Sequence, residues 1–101
     1  MTGTWRSYVA LGDSFTEGVG DPDPATGVER GWADRFAAAM ARRDPGFTYA
    51  NLAVRGLLLD PILRTQVPEA VRLRPDLVSL CAAGNDLLRP GADPAALAER
   101  L

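Results

Sequence analysis

Short apolar runs alternate with longer stretches of helical periodicity along this chain, and glycine and proline mark most of the joints between them. Tyr8 to Leu11 is apolar and ends at Gly12-Asp13, which predicts a buried strand that delivers the chain to a turn, with Trp5 to Ser7 as its lead-in. Gly18 to Gly31, "GVGDPDPATGVERG", reads as a long surface loop. In "WADRFAAAMARR", Trp32, Phe36 and Met40 recur every fourth residue beside Ala33 and Ala37, which predicts a helix with one apolar stripe. Arg42 and Arg43 suit the negative end of its dipole, and Asp44-Pro45-Gly46 stops it. Phe47 to Val54 begins as a second strand and turns between Asn51 and Gly56.

The next segment, "LLLDPILRTQVPEAVRLRP", carries Pro61 and Pro68, so one uninterrupted ideal helix is excluded. Asp60-Pro61 suits a cap and first helical residue, and Pro68 either kinks the helix or opens a second one. Asp76 to Gly84 is a third apolar strand, ending at Gly84-Asn85-Asp86, and Asp93-Pro94 opens a last helix that runs to Leu101. Strand and helix in alternation predict an α/β fold with a parallel sheet and right-handed crossovers. Three polar clusters, Asp13-Ser14, Asn51 to Gly56 and Asn85-Asp86, each follow a strand. The carboxyl edge of a parallel sheet is where ligands bind, so these distant segments are expected to converge on one rim.

A length of 101 residues allows one small domain, and a 47% hydrophobic share favours an ordered one over disorder. All eleven basic residues are arginine, scattered against thirteen acids for a net charge of -2, which argues against a nucleic-acid surface. Cys81 is the only cysteine, so an intrachain disulfide is excluded; its position in an apolar run suits a small hydrophobe in a buried strand. The N-terminus lacks the apolar core and cleavage site of a signal peptide, and no apolar run is long enough to span a membrane. The expected location is the cytoplasm.

The glycine-rich turn after the first strand invites a phosphate-binding reading, which the residues do not support. Gly12, Gly18 and Gly20 do not make G-x-G-x-x-G, and a Walker loop needs a lysine that this chain lacks. Ser14 admits two readings that stand side by side. Ser14-Phe15-Thr16-Glu17 fits the S-x-x-E capping box, and a serine at that turn is equally placed to act as a nucleophile near backbone N–H groups.

"GDSFTEG" from Gly12, "NLAVRG" from Asn51 and "AGNDLLRP" from Ala83 resemble, in order and spacing, the first three sequence blocks of the SGNH, or GDSL, hydrolase family. The resemblance covers essentially the whole chain as a single domain, residues 1–101. It implies a three-layer α/β/α, flavodoxin-like fold with a parallel sheet whose first three strands are ordered 2-1-3. It further implies a serine esterase or lipase acting on a small-molecule acyl ester, with neither metal nor organic cofactor. By position, Ser14 would be the nucleophile; the Ser14 and Gly56 backbone N–H groups and the Asn85 side-chain amide would form the oxyanion hole. Asp13 and Asp86 would brace their loops.

Two departures qualify the resemblance. The third block of the family reads G-x-N-D, and Ala83 stands in the glycine position. The family's fourth element, D-x-x-H, supplies the base and its orienting acid, and these residues include no histidine. The expectation is therefore a fold truncated after its third strand and following helix, weak or inactive alone; the competing reading is a non-catalytic binding module or gene remnant. An unpaired third strand, Leu77 to Ala82, would leave an apolar edge open to self-association.

Overall fold

The computed structural model describes residues 5–22 and 24–100. Residues 1–4, which belong to the leader reading, Asp23 in the expected loop and Leu101 at the end of the expected last helix lie outside the described residues.

The apolar run becomes β1 (Ser7–Gly12), which lies between β2 (Thr48–Asn51) and β3 (Leu77–Cys81) in a parallel sheet of order β2-β1-β3. Tyr8 aligns with Tyr49 on one side and Leu77 on the other, so the register is shared across the sheet. Side chains alternate along a strand, and β1 buries both sets. Tyr8 and Ala10 pack against Ala33 and Ala37 of α2 (Trp32–Arg43). Val9 and Leu11 face the opposite layer, with Ala70 and Val67. The result is the expected three-layer α/β arrangement, helix, sheet and helix. Burying Val9 or Leu11 contributes roughly 1.5–3 kcal/mol each by removal of apolar surface from water.

The stripe on α2 is narrower than its large residues suggested. Ala33 and Ala37 fill the seam, while Phe36 stays 37% exposed and laps its margin, its ring edge-on to Tyr8 at 5.2 Å. Small residues let the helix approach the sheet closely. The loop from Gly18 to Gly31 is closed at its neck, where a Cβ on Gly18 would lie 2.5 Å from the Gly31 nitrogen. Further out, Pro22 and Glu29 form an antiparallel bridge.

The double-proline segment is one helical path with a change of pitch. α3 (Leu59–Pro61) passes through a π-turn, Ile62–Gln66, into α4 (Val67–Leu73). The Val67 N–H reaches back to the Ile62 carbonyl, and this widened turn lets the chain continue into Pro68, which has no N–H of its own to donate. Asp60 does not cap it, contrary to expectation. The cap position is Leu58, and the Leu59 N–H is instead held by the distant Asp86 carboxylate at 2.8 Å.

Among the described residues β3 pairs only with β1, so its other edge is open. Cys81 is accordingly exposed rather than buried, a correction that follows from the edge position. Leu77 and Ser79 face α2, where the Tyr8 and Ser79 hydroxyls meet at 2.6 Å. Val78 and Leu80 line a 420 Å³ apolar trough with Val67, Val71 and Arg74. The chain then forms α5 (Gly84–Leu87) and α6 (Pro94–Arg100), whose N-terminus is capped by Asp93. No helix among the described residues is long and apolar enough to cross a membrane.

Candidate active site

β1 ends at Gly12, and Asp13 turns the chain into the four-residue α1 (Ser14–Glu17). The capping-box reading of Ser14 is not realised. Asp13 takes the cap position, its carboxylate accepting from the Phe15 N–H at 3.1 Å, and Ser14 is the first helical residue. Glu17 does not reach back to the turn either; it accepts from the Arg55 N–H at 2.7 Å and pairs with the Arg55 guanidinium at 2.9 Å. The Arg55 guanidinium, more than its N–H, holds the Glu17 carboxyl below the usual glutamate range. The Ser14 hydroxyl, half-buried, makes no hydrogen bond among the described residues. A helix's first N–H has no intrahelical acceptor, so the Ser14 amide is unclaimed by α1.

The second segment follows β2. Asn51 closes the turn by accepting from the Ala53 N–H at 3.0 Å while its amide donates to the Thr16 carbonyl at 3.0 Å. The Glu17–Arg55 pair then fastens the next residues to α1. Gly56, at φ 76°, sits in the left-handed region that glycine enters without Cβ strain, and its N–H has no acceptor among the described residues.

The third segment enters from β3 through Ala83, which holds φ 80°. Here a non-glycine residue occupies a left-handed conformation, so Ala83 carries strain of about 1–2 kcal/mol. Asn85 donates to the Leu57 carbonyl at 3.0 Å, and the same nitrogen lies 3.5 Å from the Asp13 carboxylate. Asp86 holds the Leu59 N–H. Each acid therefore braces a backbone segment, and each segment touches the next. The structure brings Asp13-Ser14, Gly56-Leu57 and Asn85-Asp86 to one rim through these contacts.

Gln66 was not singled out from the sequence, although both ends of its amide are engaged at the turn. It is 4% exposed; its carbonyl accepts from the Gly12 N–H at 2.8 Å and its amide donates to the Gly12 carbonyl at 3.0 Å. The available signal was a polar residue on a buried stripe: Leu59, Ile62, Gln66 and Ala70 recur at helical spacing and all are buried. Arg55 was missed for another reason, since nothing local marks an exposed arginine as the partner of Glu17.

The described residues include no group of three histidine, cysteine, aspartate or glutamate side chains able to hold a metal ion. The model of the GDSL-like lipase/acylhydrolase family matches residues 10–101. No curated protein and no solved structure matches the chain significantly.

Proposed function

The chain belongs to the GDSL-like lipase/acylhydrolase family, and from that premise we propose that it provides the nucleophile and oxyanion donors of a serine hydrolase for small acyl esters. The observation that carries this reading is the Ser14 hydroxyl, unclaimed among the described residues, on a rim shared with the Gly56 N–H, likewise without an acceptor among them, and the Asn85 amide. Ser14 Oγ attacks the ester carbonyl carbon, the carbonyl π pair moves onto oxygen, and the Ser14 and Gly56 N–H groups and Asn85 Nδ2 stabilise the resulting charge. Collapse expels the alkoxide, which takes the proton that left Ser14, and water hydrolyses the acyl-serine by the same route. Asn85 keeps one hydrogen on the Leu57 carbonyl; its second faces Asp13 across a long 3.5 Å contact, which a developing oxyanion displaces. Exposed Phe15, Val54 and Leu87 on the same three segments suit an apolar acyl group.

A serine hydroxyl needs a base, and the sequence contains no histidine. The base and its orienting acid therefore come from outside these residues, and the 101-residue chain alone reacts slowly. A fluorophosphonate applied to the protein expressed from its full coding sequence should phosphonylate Ser14, and Ser14→Ala should abolish labelling. Labelling that persists in Ser14→Ala would mean that the nucleophile is elsewhere. The missing histidine also favours a second reading, a non-catalytic acyl-binding module, which saturable ligand binding without turnover would support.

A further inference from the structure

We propose that Gln66 is a positioning residue for the nucleophile, a role that rests on the assignment of Ser14 given above. Gly12 ends the central strand: it is still in register with Cys81 of β3, but the register with β2 stops at Ala10, and the Gly12 carbonyl receives the Val54 N–H at 3.2 Å while, among the described residues, its N–H is taken by no backbone group outside the strand ladder. Gln66 takes the place of a neighbouring strand there, accepting from the N–H and donating to the carbonyl of the same residue. Only one orientation of the amide satisfies both, since the flipped form would set donor against donor. The two bonds fix the peptide planes on either side of Gly12, and the second plane leads directly into Asp13 and Ser14.

The surroundings leave that backbone little room to adjust. Gly12 is buried, and its Cα faces the Cys81 carbonyl and the Thr16 side chain so closely that even a Cβ does not fit. The π-turn ends at Gln66 itself, so the change of pitch falls where the side chain must turn toward β1. Such a turn weakens the regular helical ladder, and widened turns of this kind recur at functional sites. Gln66 contacts the strand end two residues before the nucleophile rather than the reacting atoms, so its effect is on the approach of Ser14 Oγ, not on substrate affinity.

The test is phosphonylation of Ser14 in the protein expressed from its full coding sequence, with the maximal inactivation rate separated from the inhibitor's half-saturating concentration. Gln66→Met removes both hydrogen bonds at similar volume and is expected to lower the maximal rate about 10- to 100-fold, with half-saturation unchanged. Gln66→Glu keeps the acceptor but sets a carboxylate oxygen against the Gly12 carbonyl. Its rate relative to the unsubstituted protein should be low at neutral pH and rise as acid protonates the new carboxyl and restores the donor. That rescue distinguishes positioning from general destabilisation, and it remains readable if Gln66→Met does not fold. An unchanged maximal rate in Gln66→Met, or a relative rate in Gln66→Glu that is flat with pH, overturns the role of Gln66 alone. Failure of the unsubstituted protein to label at Ser14 overturns the hydrolase reading and the role of Gln66 with it.

Discussion

Gly12→Ala probes the tightest point of the fold, where two separate costs combine. A Cβ at residue 12 would lie 2.5 Å from the Cys81 carbonyl oxygen and 2.8 Å from Thr16 Oγ1. Thr16 is fully buried, and the Cys81 carbonyl belongs to a strand paired in register with Gly12, so neither swings aside. Reaching ordinary contact at 3.4 Å requires a separation of about 0.9 Å between β1 and β3. Overpacking of that kind costs about 1–3 kcal/mol. The backbone φ of 155° adds a further cost of about 1–3 kcal/mol for a residue with a Cβ. Together the expected loss is about 2–6 kcal/mol, a large part of the 5–15 kcal/mol typical of small domains. Urea unfolding followed by tryptophan fluorescence measures it, with two controls. Gly20→Ala, at φ 78° with nothing within 4 Å, isolates the torsional cost of about 1–2 kcal/mol. Gly84→Ala meets nothing within 4 Å inside α5 and should be neutral or stabilising by about 0.5–1 kcal/mol. A loss at Gly12 no greater than that at Gly20 would refute the steric argument.

Four other outcomes follow from the same contacts. Asn85→Ala should lower ester turnover about 10²- to 10³-fold with KM little changed, as expected for loss of one oxyanion donor; a kcat within a few-fold of the unsubstituted protein would remove Asn85 from the hole. Thr16 Oγ1 is buried without a partner among the described residues, so Thr16→Val should stabilise by about 1 kcal/mol in the same urea assay, and a loss of that size would show that the hydroxyl is satisfied in solution. Burial raises the Tyr8 and Tyr49 phenols above their ordinary range, Tyr49 further by its bond to Asp34; a raised folded value means stability complete below about pH 10 and lost as pH climbs through the folded values, so tyrosinate absorbance should appear together with loss of tertiary circular dichroism. Tyrosines that titrate near pH 10 with the fold intact would contradict this. Finally, the open β3 edge, with Val78 46% and Leu80 37% exposed, should make the 101-residue chain self-associate, and Val78→Lys should reduce it; a monodisperse monomer at high concentration in size-exclusion chromatography would count against the edge as a contact surface.

The elements themselves were legible because their causes are local. An apolar run ending in Gly12-Asp13, alanines at helical spacing and prolines at 61 and 68 act on neighbouring residues, and they placed every strand and main helix close to where it lies. The order β2-β1-β3 and the three-layer packing followed from the resemblance together with right-handed crossovers. The local pattern failed where two residues could serve one role. Ser14 and Asp13 are both good caps, and in the fold Asp13 takes the extended cap position with its carboxylate on the Phe15 N–H while Ser14 becomes the first helical residue. Cys81 fails in the same way, since an apolar residue in a strand is buried only if a neighbour covers it, and β3 is an edge among the described residues.

By itself, then, the sequence determined which segments are strand, helix or turn and brought the polar clusters to the ends of strands, because backbone preference and side-chain periodicity are properties of a few consecutive residues. Tertiary structure alone decided which donor meets which acceptor. Glu17 and Arg55 are 38 residues apart, Gln66 and Gly12 are 54 apart, and Asn85 and Leu57 are 28 apart. A hydrogen bond requires its two atoms within about 3 Å and in line, a condition that no local pattern encodes and that is met only after the sheet and its helices have packed.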